Sequence, residues 1–288
     1  MICLENEPMN RHTTFRVGGP ARRYYIAETP ADVREVVFLC KKSGEQLYVI
    51  GNGSNLLVSD RGIDGVVLEM GEKFSKITLD GNTVYAEAGA KLSTLANFAM
   101  KNSLSGLVPL SGIPGTVGGA VMMNAGAYGG EIADHFLYAD VLRNGEFTKI
   151  EKDEMQFGYR HSLCMDENMI VLGAAFELEN GDCETIAAEM QELAKRRREK
   201  QPLEYPSAGS TFKRPEGYFA GKLIMDAGLA GKTVGGACVS EKHCGFILNK
   251  EHGTAGDIYN LIRLVQDEVH RQFGVTLETE VQLIGDFE

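Results

Sequence analysis

The feature that most constrains this chain is the density of glycine between residues 113 and 130. The segment 113–120 has the sequence IPGTVGGA, and the segment 124–130 has the sequence NAGAYGG. Glycine lets a backbone adopt positive φ angles and approach another group closely. Consecutive backbone N–H groups in such turns can form a concavity that binds an anion. The segment therefore predicts a backbone cradle for the phosphates of a cofactor.

A second glycine loop, with the sequence GNGSNLL at residues 51–57, lies upstream and is expected to form the other wall of the same site. Tight turns are the alternative explanation for any single glycine cluster, but two clusters with different patterns favour a ligand. Neither of the common nucleotide fingerprints is matched. Leu56 occupies the place of the third glycine of a dinucleotide motif, and Asp226 stands where a phosphate loop ending at Gly231 needs its first glycine.

Charge and composition narrow the class of partner. The net charge is −11, from 40 acidic and 29 basic residues, which argues against a nucleic-acid partner. The single basic run, 195–198, lies near a predicted helix end, where cations complement the helix dipole and are usually solvated; a phosphate-binding role is the alternative. The acidic N-terminus has no apolar core of a signal peptide, no apolar run approaches the ~20 residues of a membrane span, and the six cysteines lack metal-site spacing. We expect a cytoplasmic protein with reduced thiols, no metal and no membrane partner.

Apolar periodicity and capping residues predict an α+β chain with many short strands. Thr29 and Gly44 are expected to bound one helix, and Thr254 and Gly274 to bound the last helix. The final strand is predicted over 275–284. Further strands are predicted at 24–27, 47–50, 66–70, 77–79, 83–86, 138–142, 147–150 and 170–178, and further helices at 91–101 and 185–200.

The irregular segment 202–210, which contains two prolines, predicts a domain boundary near Tyr205. A compact module is expected to follow this boundary and to end with the last helix.

Six motifs stand in order along the chain: HTTFRVGG at 12–19, the two glycine loops, FGYRHS at 157–162, AGSTFKRP at 208–215 and ETEV at 278–281. Together, and over the whole chain, they resemble the family of UDP-N-acetylenolpyruvoylglucosamine reductases, in its shorter subtype without an extra tyrosine-bearing loop. The resemblance implies two FAD-binding domains of the vanillyl-alcohol-oxidase (PCMH) type plus a C-terminal substrate-binding domain. It places the first FAD-binding part at 1–70, the second at 71–204 joined by the returning final strand at 275–288, and the substrate-binding domain at 205–274.

The resemblance also implies a reaction: reduction of UDP-N-acetylglucosamine enolpyruvate to UDP-N-acetylmuramate, an early peptidoglycan precursor, with NADPH as reductant and FAD as the bound carrier. The first glycine loop contains no histidine for covalent attachment, so noncovalent FAD is expected. The oligomeric state stays open, and a monomer is compatible with the sequence. The implied cofactor-binding residues are Gly51, Asn52, Gly53, Ser54, Asn55, Leu56, Pro114, Gly115, Thr116, Gly118, Gly119, Asn124, Gly126 and Ala127.

Three residues match the catalytic positions of the family. Ser210 corresponds to the proton donor, Arg160 to the cation that faces the developing enolate, and Glu280 to the acidic partner. Without the flanking motifs, the same residues would be explained as a turn or cap serine, a surface ion pair and a solvated glutamate.

Substrate recognition is implied for Tyr159, Lys213 and Asn249. A lysine that many members carry is replaced here by Ala230, which puts any role of that lysine in doubt for this chain. Two other functions remain open from the residues: a different FAD oxidoreductase of the same superfamily, and a sugar-nucleotide-binding protein without chemistry.

Overall fold

The computed structural model describes residues 1–287. Contacts between Cα atoms divide these residues into two compact units. Unit 1 comprises 1–4, 24–52 and 66–197, and unit 2 comprises 5–23, 53–65 and the residues from Arg198 onward. Helices and short strands are mixed throughout, which confirms the predicted α+β class.

Residues 1–287 contain eight α-helices and eighteen strands. The helices are α1 Pro30–Ser43, α2 Leu92–Lys101, α3 Val117–Met122, α4 Ile132–His135, α5 Leu163–Asp166, α6 Cys183–Lys200, α7 Ala220–Asp226 and α8 Ala255–Phe273. The strands are β1 Ile2–Pro8, β2 Pro20–Ile26, β3 Leu47–Ile50, β4 Leu56–Val58, β5 Ile63–Glu69, β6 Ile77–Asp80, β7 Thr83–Glu87, β8 Leu104–Ser105, β9 Gly126–Ala127, β10 Gly130–Glu131, β11 Phe136–Arg143, β12 Glu146–Glu151, β13 Ile170–Glu177, β14 Glu179–Asn180, β15 Thr233–Val234, β16 Ala237–Val239, β17 Ile247–Asn249 and β18 Gln282–Ile284.

Unit 1 is organised around a five-stranded antiparallel sheet of order β12-β11-β13-β7-β6. Helix α3 packs on the central strand β13. A core of apolar residues from α2, α3 and this sheet fills the interior, with Leu95, Val121 and Phe176 at most 1% exposed. Strand β3 pairs in parallel with the second half of β5, so that β3 ends directly at the first glycine loop.

Helix α1 has the boundaries that its sequence predicts. The Thr29 hydroxyl accepts a hydrogen bond from the backbone N–H of Asp32, and the Asp32 carboxylate accepts from the N–H of Thr29 in return. At the other end, Gly44 adopts the left-handed conformation at φ 72°. Partial burial alone would raise the pKa of Asp32, but the N–H groups of Glu28 and Thr29, which both donate to its carboxylate, lower it.

Unit 2 is built around the small sheet β15-β16-β17 and the long helix α8. One face of α8 lies in the core, since Ile258, Leu261 and Val265 are fully buried. Thr254 and Asp257 form the predicted cap, and Gly274 ends the helix at φ 68°. The predicted helix boundaries are therefore confirmed here too.

The end of the chain differs from its prediction. Only Gln282–Ile284 form a strand, and β18 pairs in parallel with β4 rather than with any strand of residues 71–204. The assignment of 275–288 to the second FAD-binding part stays a prediction. Leu283 in this strand is 40% exposed. The three-domain division itself stays a prediction.

The basic run at the end of α6 is solvated only in part. Arg196 pairs with Glu192 on the helix surface, as the dipole argument anticipates. Arg197, in contrast, is half-buried beside Gly112, and burial lowers the pKa of its guanidinium. None of the helices within residues 1–287 is both long and apolar enough to cross a membrane.

Candidate active site

The two glycine loops meet in unit 1. A Cβ atom on Gly51 would lie 2.1 Å from the hydroxyl oxygen of Thr116, so only glycine lets the first loop come this close to the second. The side-chain amide of Asn52 donates a 2.6 Å hydrogen bond to the carbonyl of Pro114. These contacts bring the two loops together, as expected for two walls of the same site.

Part of the glycine-rich segment is used for packing rather than for a ligand. The backbone N–H groups of Val117 and Gly118 donate to the carbonyls of Ala90 and Ala88, each at 2.8 Å. A Cβ on Gly118 would lie 2.9 Å from the Cβ of Ala88. Because these two amides are paired within the protein, they are not donors to a phosphate, and the glycine at 118 serves close packing of α3.

A pocket of about 690 Å³ opens beside this contact, within unit 1. Gly51, Thr116 and Gly119 lie on its wall, and a Cβ on Gly119 would have a single neighbour, at 3.9 Å, so this glycine faces open space. The remaining wall is largely apolar and includes Val37, Ile50, Met70, Ala88, Met122, Met169 and Ile170. A glycine floor with apolar sides suits the phosphate and the flat ring of a nucleotide.

Arg160 lies in a tight turn of unit 1. Gly158 and His161 close this turn by two reciprocal backbone hydrogen bonds, and Arg160 adopts φ 55°, which is unusual for a residue with a side chain. Its Nη2 atom donates to the carbonyl of Gly126 at 3.3 Å, and its guanidinium carbon lies 5.0 Å from the ring centre of Tyr159. The turn thus gives the arginine a defined direction beside the second glycine stretch.

The side chain of Asn124 holds the turn that contains Arg160. Its side chain is 1% exposed, its Nδ2 atom donates to the carbonyl of Gly158 at 3.1 Å, and its Oδ1 atom accepts from the N–H of Ala133 at 3.0 Å. A contact of Asn124 with a cofactor stays a prediction. The observed bonds assign its amide a role in holding the turn.

We expect Asn124→Asp to lower the free energy of unfolding by about 1–3 kcal/mol, because an oxygen would replace the donor that faces the Gly158 carbonyl in a buried place. Urea unfolding measures this loss, and trypsin cleavage after Arg160 should become faster as the turn loosens. Asn144→Asp is the matched control, since Asn144 is exposed and has a similar φ of 55°. Equal losses in both variants would contradict the assigned role.

Ser210 and Glu280 lie on two paired segments of unit 2. Ser210 is exposed, and the next residue, Thr211, accepts a 2.8 Å hydrogen bond at its carbonyl from the N–H of Glu280. An antiparallel bridge between Phe212 and Thr279 continues the pairing. Two of the three predicted catalytic residues are therefore brought onto neighbouring segments that pair through their backbones.

The first glycine loop also reaches this pair of segments. The Nδ2 atom of Asn55 donates to the carbonyl of Glu280 at 3.0 Å, and the N–H of Gln282 donates to the carbonyl of Asn55 at 2.9 Å. Gly53, at φ 59°, lies against the HTTFRVGG motif, since a Cβ there would be 1.8 Å from the carbonyl oxygen of His12. The sequence did not reveal that this motif packs against the glycine loop.

The other predicted substrate contacts differ in setting. Lys213 forms an exposed ion pair with Glu278 at 3.1 Å, and Tyr159 in unit 1 is 56% exposed, so both side chains are accessible. Asn249 is 8% exposed, and its amide bonds the carbonyl of Phe15 and the N–H of Gly253. The Asn249 side chain is thus held within the protein, and a substrate contact for it stays a prediction.

His243 lies in the turn that precedes β17 and should make stability depend on pH. Its Nδ1 atom accepts from the N–H of Gly245, and burial lowers the pKa of its imidazole. The unfolded chain therefore binds more protons, and the free energy of unfolding should fall as pH decreases from about 7 toward the folded pKa, by at most about 1.4 kcal/mol per pH unit.

Urea unfolding between pH 8 and 5, compared with His243→Gln, isolates this contribution. The wild type should lose more stability than the variant as pH falls. His161 is a useful contrast, because a hydrogen bond to Asp166 raises its pKa and gives the opposite sign. A wild-type advantage that grows toward acid pH would contradict the prediction for His243.

Comparison with known proteins defines the family. The reductase named UDP-N-acetylenolpyruvoylglucosamine reductase in Clostridium beijerinckii is 53% identical over 279 residues, which cover 96% of this chain and 91% of that protein. The protein of the same name in Agathobacter rectalis is 51% identical over 99% of this chain and 94% of its own length. The chain belongs to the UDP-N-acetylenolpyruvoylglucosamine reductase family. Residues 201–284 match the model of this family's C-terminal domain, and residues 21–150 match an FAD binding domain.

A solved structure agrees with this assignment. The crystal structure of the Thermus caldophilus reductase superposes with a TM-score of 0.84 at 35% identity, over 99% of this chain and 98% of that chain. The FAD-binding domain and the C-terminal domain of the reductase family are therefore confirmed. Arg160 belongs to unit 1, while Ser210 and Glu280 belong to unit 2, so a common site for all three stays a prediction.

Proposed function

We propose that this chain catalyses the NADPH-dependent reduction of UDP-N-acetylglucosamine enolpyruvate to UDP-N-acetylmuramate with bound FAD. The observation that carries the proposal is its similarity, above 50% identity and over nearly the full length of both chains, to reductases of that name. We place the reaction in the cytoplasm, as a step of peptidoglycan precursor synthesis. We propose that the protein binds the UDP-sugar and NADPH and no nucleic acid.

The glycine wall of unit 1 fits a noncovalent dinucleotide. Gly51, Thr116 and Gly119 would hold its phosphates, and the apolar wall of the 690 Å³ pocket would hold a flat ring. Ser54, Asn55 and Leu56 are proposed as further FAD-binding residues. When bound, FAD supplies the hydride-transfer chemistry, and the protein supplies position, polarity and a proton.

The substrate needs a proton at a defined carbon. Hydride addition to the methylene carbon of the enolpyruvyl group leaves enolate character beside the carboxylate, and the neighbouring carbon must then be protonated. We assign this proton to the Ser210 hydroxyl, which is exposed and can donate. The segment that carries the serine is held by the backbone hydrogen bond between Thr211 and Glu280.

Arg160 and Glu280, which carry opposite charges, are assigned complementary roles in the reaction. The planar guanidinium of Arg160 stays protonated and suits a carboxylate or an enolate oxygen, which it would stabilise as charge develops. Glu280 is half-buried on the segment that pairs with Thr211, and it would orient Ser210 or share a proton with the substrate carboxylate. Lys213 is assigned to a phosphate or carboxylate of the UDP-sugar as a point charge.

Anaerobic stopped-flow absorbance tests the proposal. The purified flavoprotein is reduced with one equivalent of NADPH and then mixed with UDP-N-acetylglucosamine enolpyruvate. Rapid return of the oxidised flavin spectrum is expected. Reduction by NADPH without reoxidation would leave the flavoprotein in place and exclude this substrate.

We expect Glu280→Gln to bind FAD as tightly as the wild type and to slow only the reaction with the UDP-sugar. The amide keeps the size of the side chain but loses its charge and its capacity to share a proton. Flavin fluorescence titration and the two stopped-flow half-reactions provide the measurements. Loss of FAD in this variant would show that Glu280 is structural.

A further inference from the structure

Thr211 connects three backbone segments of unit 2, and the reaction assigned above makes no direct use of it. Its side chain is fully buried, whereas Ser210 beside it is exposed. Its N–H donates to the carbonyl of Gly245 at 2.8 Å, and its hydroxyl accepts from the N–H of Ile247 at 3.1 Å. The turn before β17 is therefore bonded to Thr211 through two different atoms.

On its other side, Thr211 holds the segment that carries Glu280. Its carbonyl accepts from the N–H of Glu280 at 2.8 Å and, more weakly, from the N–H of Val281 at 3.4 Å. Two residues on, the N–H of Lys213 donates to the carbonyl of Glu278 at 2.9 Å. These bonds set an antiparallel register in which Glu280 lies opposite Thr211, so Ser210 is diagonal to Glu280 along the paired segments.

The Glu280 segment is held from its far side as well. Asn55 bonds both the carbonyl of Glu280 and the N–H of Gln282. Glu280 is therefore fixed by its backbone on two sides, whereas Ser210 relies on Thr211 as its neighbour. A shift of Thr211 would move the serine relative to a glutamate that stays in place.

We propose that Thr211 is the positioning residue of this site: its buried hydroxyl fixes the segment that presents Ser210, and so sets the place of the proton donor relative to Glu280. The inference rests on the proposed function, because it deepens the role of Ser210. A hydroxyl is required because the N–H of Ile247 is in a buried place and needs an acceptor. Misplacing a reacting group by about 1 Å can cost roughly 10²-fold in rate.

The test compares Thr211→Val, which keeps the shape and removes the hydroxyl, with Thr211→Ser, which keeps the hydroxyl. Reoxidation of the NADPH-reduced enzyme by UDP-N-acetylglucosamine enolpyruvate should slow about 10- to 100-fold in Thr211→Val and stay within about 3-fold of wild type in Thr211→Ser. Reduction by NADPH and the affinity for FAD should be unchanged in both variants. If Thr211→Val does not fold, Thr211→Cys offers a weak acceptor of similar size for the same comparison.

Thr254→Ala is the control for lost stability. It removes the N-terminal cap of α8 in the same unit and leaves the hydrogen bonds of Thr211 in place. It should therefore lower the melting temperature without slowing reoxidation. If reoxidation slows equally in Thr254→Ala and Thr211→Val, positioning by Thr211 is excluded, since general loosening of the unit would explain both.

The double variant Ser210→Ala/Thr211→Val distinguishes positioning from an independent effect. If Thr211 acts through the serine, the double variant should reoxidise about as slowly as Ser210→Ala alone. Additive losses would overturn the inference. If Thr211→Val reoxidises at the wild-type rate while Ser210→Ala is slow, only the positioning role of Thr211 is overturned. If Ser210→Ala itself reoxidises at the wild-type rate, the proposed role of the serine is overturned, and positioning through the serine with it.

Discussion

Replacing Ser210 with alanine is expected to slow reoxidation of the flavin by the UDP-sugar about 10²- to 10⁴-fold, the usual contribution of a positioned proton donor. Reduction of the flavin by NADPH should stay near the wild-type rate, because this half-reaction needs no proton from the serine. Single-turnover absorbance of each half-reaction measures both rates in one preparation.

Ser207→Ala is the matched control for this prediction. Ser207 lies in the same irregular segment, three residues before Ser210, and removal of its hydroxyl should leave both half-reactions near their wild-type rates. Equal loss of both half-reactions in Ser210→Ala would remove the assignment of the serine as a proton donor, because a donor specific to the substrate acts in one half only.

A methyl group on Gly53 should have the largest effect on stability. In Gly53→Ala, the new Cβ would overlap the carbonyl oxygen of His12, and alanine would be forced into φ 59°. Overpacking costs about 1–3 kcal/mol, and the positive φ adds roughly 1 kcal/mol. We expect the free energy of unfolding to fall by the sum of these terms and the affinity for FAD to fall with it, since the loop must move.

Gly81→Ala separates the two costs. Gly81, in the turn between β6 and β7, has φ 57°, and nothing lies within 4 Å of the position of its Cβ. This control carries the backbone cost alone, and its affinity for FAD should be unchanged. Urea unfolding of the apoproteins and flavin fluorescence titration are the two measurements. A Gly53→Ala loss no larger than that of Gly81→Ala would show that the contact with His12 is unimportant.

Sequence reasoning succeeded where the signals are local. Thr29 with Asp32, and Thr254 with Asp257, define helix starts through bonds within four residues, and Gly44 and Gly274 define the ends by their φ angles. The two strands of the β6–β7 hairpin could be predicted for the same reason, because the turn between them separates two short apolar runs. In each case the residues that decide the structure are neighbours in the sequence.

Prediction from the sequence failed where a structure depends on residues that are distant in the chain. Apolar and polar residues alternate over 275–281 as they do in a strand, but this segment bonds Thr211 and Lys213 only through isolated backbone hydrogen bonds. Only Gln282–Ile284 form a strand. Helix α3 escaped prediction because its glycines lower helix propensity, and packing on Ala88 compensates for this loss.

The candidate site shows the same limit. The sequence indicated the glycine loops and the motif residues, but it could not tell which glycine faces a ligand and which faces a neighbouring side chain. Gly119 opens on the pocket, Gly118 is required by its close packing on Ala88, and Gly51 lies on the pocket wall but leaves no room for a Cβ atom beside Thr116. The bonds of the Asn124 and Asn249 amides likewise depend on segments that only the fold brings near.

The bond from Asn55 to Glu280 joins residues 225 apart in the chain, and β18 lies beside β4 across a similar distance. Such distant pairings form late, because a long loop must close before they become favourable. During synthesis on the ribosome, the first glycine loop will therefore emerge early and wait for nearly the whole chain before its last partner exists. Nascent chains halted before residue 278 should hold this loop in an unfinished form, open to proteases and weak in flavin binding.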